Sequence, residues 1–110
     1  MINAAVKLLF PDHEYTGRGE VNGLSKGTVP QNCKIISSGN ERFQHSGRRM
    51  FYLVEVGEVL VFLRICTAGS YVDYDEFAVI HGWEPLGTND AEELRSYGLR
   101  MIESLCVEIK

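Results

Sequence analysis

Two runs of β-branched and aromatic residues, M-F-Y-L-V-E-V at 50–56 and V-L-V-F-L-R-I at 59–65, stand on either side of the dipeptide Gly57-Glu58. No other stretch restricts the fold as strongly. Such runs favour pleated, half-buried strands, and a two-residue spacer containing glycine joins antiparallel strands directly. With Gly57 and Glu58 as the loop, Val56 faces Val59, Val54 faces Val61, Tyr52 faces Leu63 and Met50 faces Ile65. Glycine at the first loop position suits a type II′ turn, which needs positive φ there.

Period-two alternation divides this hairpin into two unlike faces. Met50, Tyr52, Val54, Val56, Val59, Val61, Leu63 and Ile65 form one, without a formal charge. Phe51, Leu53, Leu60 and Phe62 lie on the other, together with Glu55 and Arg64. A slip of one residue would drive both charges into the uncharged face, so the register is firmly set. The uncharged face should meet the core. The mixed face is too apolar to stay wet, so a helix, a loop or another subunit has to cover its middle. Cover from within the chain would make the hairpin scaffold; without it, these residues would be the functional surface.

The flanks supply further elements. Residues 4–10, A-A-V-K-L-L-F, place Lys7 between Val6 and Leu8 and end at Pro11. The segment reads as a strand with one wet face, with a short helix as the alternative because Ala and Leu also favour helix. Residues 11–20 read as a polar loop entering a strand near Glu20, and a second loop runs through Gly23, Gly27 and Pro30. Residues 33–37 form another short strand, and 37–49 a solvated connection. A turn is expected at 67–70. Residues 71–80 are strand-like, but their apolar phase switches at Asp75-Glu76, which predicts a bulge there. W-E-P-L-G at 83–87 reads as a loop pinned to the core by Trp83.

The best helix begins after Thr88, with Asn89 as cap and Glu92 at the third helical position. Leu94, Met101, Ile102 and Leu105 make its core stripe, with Tyr97 and Gly98 on the same side. Close packing on a sheet would account for glycine in a helix interior. The tail at 106–110 either extends the helix or forms an edge strand. These elements define an α+β chain, a curved, mainly antiparallel sheet of about five strands packed on one C-terminal helix. A partly open small β-barrel with a helix is the alternative.

At 110 residues and 45% apolar content, residues 1–110 suit a single globular domain. The first residues lack a basic leader followed by an apolar stretch and a cleavage site, and no apolar run is long enough for a bilayer, so a cytoplasmic protein away from membranes is expected. Cys33, Cys66 and Cys106 are odd in number and widely spaced, as reduced, buried thiols would be. Net charge is −4, distributed as +3 over residues 1–52 and −7 over 53–110. This asymmetry argues against a DNA-duplex binder and favours orientation of a protein partner or self-association.

No motif names a reaction or implies a cofactor. Asp12, His13, Glu14 and Glu20 are one candidate metal cluster, but adjacent residues in an extended chain point apart. Asp73, Asp75, Glu76 and His81 would have to converge for a small metal-dependent enzyme or hydrolase. Cys33, His45, Cys66, His81 and Cys106 show no local nucleophile–base spacing. The expectation therefore leans away from an enzyme and towards a small binding or protein-interaction module, a homo-oligomer or the partner of another protein. Its candidate surface comprises Phe51, Leu53, Glu55, Leu60, Phe62 and Arg64 on the hairpin. Arg42, Phe43, Arg48 and Arg49 in the preceding stretch add planar cationic groups suited to carboxylate or phosphate. Single-stranded RNA held by Arg42, Arg48 and Arg49 is the remaining alternative.

Overall fold

The computed structural model describes residues 2–15, 17–25, 27–42, 48–69, 74–87 and 90–105, with backbone alone at 41, 42, 48, 68, 69, 74, 75, 101, 102, 104 and 105. Helix α1 (Ile2–Leu9) is followed by β1 (Glu20–Leu24), β2 (Lys34–Arg42), β3 (Arg48–Val56), β4 (Val59–Gly69) and β5 (Tyr74–Pro85), and α2 (Ala91–Leu105) closes the order. The strands form one curved, antiparallel sheet in the order β1-β5-β4-β3-β2, open at both edges rather than closed into a barrel.

The β3–β4 hairpin has the register its side-chain pattern demands: Val56 opposite Val59, Val54 opposite Val61, Tyr52 opposite Leu63 and Met50 opposite Ile65. Gly57 has φ +60° while Glu58 does not enter the positive region, which is the type II′ combination. The uncharged face is core. Tyr52, Val54, Val56, Val61, Leu63 and Ile65 are buried with Ala78, Val21 and Leu24, and Met50 and Val59 pack at the margin.

That face is covered by α1 and the segment after it, and here the strand reading of 4–10 is corrected. Ala5, Val6, Leu9 and Phe10 are buried at the helical spacing i, i+1, i+4, i+5. Lys7 interrupts a strand pattern but falls on the wet side of a helix, and Pro11 stops the helix because the residue before proline is steered out of helical geometry. The carbonyls at its end, lacking partners within the helix, are taken up from a distance. Gln31 N–H donates to the Leu9 carbonyl (3.0 Å) and the Asn32 side-chain amide donates to that of Leu8 (2.8 Å). Asn32 has φ +56°, a left-handed conformation asparagine tolerates better than most residues. Asn32→Ala should lower stability by about 2 kcal/mol through the lost hydrogen bond and the backbone strain. Asn32→Gly, which relieves only the strain, should recover part of it in urea unfolding.

Several boundaries also differ from the sequence reading. β2 continues to Arg42 and β3 begins at Arg48, so the described residues of the expected connection at 37–49 are strand. Residues 67–69 belong to β4 rather than to a turn. β5 extends to Pro85, so 83–85 are strand, and Trp83 is 43% exposed instead of pinned in the core. Pro85 is tolerated because β1 pairs only with the 76–79 part of β5, leaving the last residues on an open edge.

The bulge expected at Asp75-Glu76 lies elsewhere. Pairing between β4 and β5 is continuous from Gly69–Tyr74 to Leu63–Ile80, and the extra residue is His81, between Ile80 and Gly82. A second irregularity falls in β1 between Val21 and Leu24, where Gly23 takes φ +76°. The phase switch at Glu76 has a different cause: Glu76 occupies a core-facing position as a buried, hydrogen-bonded carboxylate.

The mixed face is covered by α2. Asp90 caps this helix, its Oδ1 accepting from the N–H groups of Glu92 (2.9 Å) and Glu93 (3.3 Å), one position later than the expected Asn89. Leu94 joins Phe51, Leu53, Leu60 and Phe62 in a second buried cluster, with Ile36, Leu86 and Tyr97 around it. Gly98 is buried over β2, and Ser37 Oγ donates to the Arg95 carbonyl (3.3 Å). The rest of the predicted stripe, Met101, Ile102 and Leu105, lies outside the described side chains, as does the tail at 106–110.

Candidate functional site

The four apolar residues of the mixed face sit deep. Phe51, Leu53, Leu60 and Phe62 are 1%, 1%, 3% and 2% exposed beneath α2. Burial of this kind stabilises by roughly 2 kcal/mol per large apolar side chain. The condition for reading the hairpin as scaffold is met at these four positions. Glu55 and Arg64, the charged residues of the same face, are half-buried, and Arg49 is also half-buried. Arg42 and Arg48 end β2 and β3 opposite one another, with side chains outside the described set; Phe43 and His45 also lie outside it.

The helix lies over β2 and β3, so the β4–β5 side of this face is less covered. A groove of about 790 Å³ runs between α2 and the ends of β4 and β5. Its floor is Leu60, Leu94 and Tyr97, and Glu84, Glu92, Glu93 and Arg100 line it. Glu84 lies beside the Tyr97 hydroxyl, and burial, then the negative charge and hydrogen-bonding effect of Glu84, hold the Tyr97 pKa above the usual phenol value. A smaller hollow bounded by Leu53, Phe62, Gly82 and Tyr97 continues the groove along β5.

Beyond that hollow lies His81. Its ring centroid is 5.6 Å from that of Phe62 and 6.4 Å from that of Phe51. The bulge at His81 lets its side chain share this face with its neighbour Gly82, which strict alternation would forbid. Burial of the ring against the two phenyl groups, and then Arg64 and Arg49, push the imidazole pKa below its ordinary value. Arg64 sits opposite Phe51 on one side and Val79 on the other, and its Nε is buried with no hydrogen-bond partner among the described residues.

Among the described residues, those considered for chemistry do not gather. Glu76 faces the α1 side, beside Met50, Tyr52 and Thr67, whereas His81 stacks on the α2 side. Asp73 and the Asp75 side chain lie outside the described set. His13 contacts the Gly23 carbonyl through Nε2 (3.0 Å), while Asp12 and Glu14 point into solvent. Among the described residues, no three His, Cys, Asp or Glu side chains are placed to hold a metal ion. Cys33 and Cys66 are free thiols. Burial pushes both up in pKa, and at Cys66 the nearby Arg64 and Arg49 offset only part of that effect. An activated thiol requires the opposite shift.

The sequence did not single out the groove. Glu92, Glu93 and Tyr97 were legible as helix residues and Glu84 as part of a loop, but only the extension of β5 to Pro85 brings Glu84 beside Tyr97. Fold and site together define an α+β protein in which a five-strand antiparallel sheet lies between two helices, with a charged groove along the second. Comparison with protein-family models, curated proteins and solved structures finds no match to this chain. Among the described residues, no helix is long and apolar enough to cross a membrane.

Proposed function

We propose that this protein is a small non-catalytic binding module that receives a segment of a protein partner in the groove between α2 and β5. The observation that carries the reading is the groove itself, about 790 Å³ with an apolar floor and, among the described residues, three carboxylates along it against one guanidinium. Leu60, Leu94 and Tyr97 supply contact area, and Glu84, Glu92 and Glu93 select lysine- or arginine-bearing segments and orient them. The free thiols of Cys33 and Cys66 suit a reducing, cytoplasmic setting.

A fluorescent peptide alternating lysine with leucine should bind the wild-type chain at low salt and be released as salt rises. Glu92→Gln combined with Glu93→Gln should weaken that binding about ten-fold, equivalent to about 1.4 kcal/mol, by anisotropy titration. Binding that ignores the double substitution, or no binding at low salt, would sink the reading.

A further inference from the structure

We infer that the hollow beside Glu76, on the α1 side of the sheet, is a binding site for a small organic ammonium ion. The inference does not depend on the groove along α2, which lies on the opposite face. The hollow encloses about 190 Å³ beneath the loop between β1 and β2. Val29, Met50, Tyr52 and Ile65 give it apolar walls, and Thr67 and Glu76 bring polar side chains to it. Close-packed interiors hold few voids larger than a water molecule, so a space of this size against an ionisable group is a departure from ordinary core packing. It is smaller than the pockets of about 300 Å³ and upward that take drug-sized ligands, and suits a molecule of a few heavy atoms.

Charge selects the ligand. Glu76 is 4% exposed, and among the described residues no lysine, arginine or histidine lines the hollow. Glutamates buried this deeply are usually paired with a cation, because neutral donors solvate the carboxylate without cancelling its charge. Here the donors are all neutral: Gly27 N–H, Thr28 N–H and the Thr67 hydroxyl. They occupy three of the roughly four acceptor positions a carboxylate offers, which leaves one for an ammonium N–H. A hard inorganic cation would require about six oxygen ligands, whereas these walls are largely hydrocarbon. Tyr52 offers an aromatic wall of the kind that attracts organic cations, and Val29, Met50 and Ile65 suit a short alkyl tail.

Titration of the whole chain with butylammonium chloride, followed by NMR, tests this. The amide signals of Gly27 and Thr28 should shift saturably, and raising salt should leave the binding largely intact, because a buried ion pair is poorly screened. Butanol, of the same length without the charge, and butyrate, of the opposite charge, should each bind about ten-fold more weakly or not at all. Glu76→Gln, which keeps the size of the side chain, should weaken butylammonium binding about ten-fold or more. If that variant fails to fold, as judged by circular dichroism, the comparison of the three probes on wild type decides alone. Equal binding of butylammonium and butanol would show an apolar hole without charge recognition and overturn the inference. So would the lack of any saturable shift at Gly27 and Thr28. Shifts confined to Glu92, Glu93 and Tyr97, and lost as salt rises, would place the cation in the groove along α2 instead; they would overturn the site at Glu76 and leave the binding module standing.

Discussion

Replacing Gly98 by alanine should destabilise the protein by about 3 kcal/mol, even though alanine is the better helix former by about 1 kcal/mol. A Cβ at this position would lie 2.5 Å from Ser37 Oγ, 2.6 Å from Ser37 Cβ and 3.1 Å from Leu53 Cδ2. The hydroxyl can rotate away and the leucine can shift, but Ser37 Cβ is fixed to the β2 backbone. The helix itself therefore has to rise from the sheet, loosening Leu94 and Tyr97 over Phe51, Leu53, Leu60 and Phe62. Urea unfolding of Gly98→Ala measures the loss. Adding Ser37→Gly removes the obstructing atoms and should recover most of it, short of about 1 kcal/mol for the lost Ser37–Arg95 hydrogen bond. A single substitution that leaves stability unchanged would show that α2 does not depend on this close approach.

Glu76→Ala should cost about 2–3 kcal/mol, the range for hydrogen bonds to a charged group whose partners are left unsatisfied. The carboxylate is 4% exposed. Its Oε1 accepts from Gly27 N–H (2.9 Å) and Thr67 Oγ1 (3.4 Å), and its Oε2 accepts from Thr28 N–H (3.3 Å). One side chain on β5 thus fastens the loop between β1 and β2 across the sheet. Losing it should lower the melting temperature by about 10 °C or more. It should also accelerate hydrogen exchange at the Gly27 and Thr28 amides ahead of the β3–β4 hairpin. Glu76→Gln keeps one acceptor oxygen and should fall between wild type and alanine. Equal exchange in wild type and Glu76→Ala would mean that the loop is held by other contacts.

Glu76 also shows where sequence reasoning stops. The hairpin was legible to the residue because period-two alternation and a glycine turn leave one register that turns all its valines to the uncharged face. The C-terminal helix was legible because Asp and Glu precede an apolar stripe at helical spacing. Glu76 misled because a carboxylate interrupts an apolar pattern whether it faces water or is buried with partners from another loop, and those partners are 48 and 49 residues away. The first helix misled for a simpler reason, since seven residues with one lysine satisfy both periods. The groove was hardest to see. Its acidic residues come from β5 and α2, and nothing local in either segment announces that Glu84 and Tyr97 will meet.

The position of β1 has a consequence for the order in which the molecule can assemble. β2, β3, β4 and β5 are consecutive neighbours, so each can be laid down on the strand just before it. β1 pairs only with β5, some fifty residues later. Its Val21 and Leu24, with Gly19 taking the Ile80 amide, have no strand to dock on until the whole meander exists. Loop-closure entropy places such a contact late. During synthesis β1 would therefore leave the ribosome well before β5 and wait, without its neighbour, until the meander from β2 to β5 had followed it.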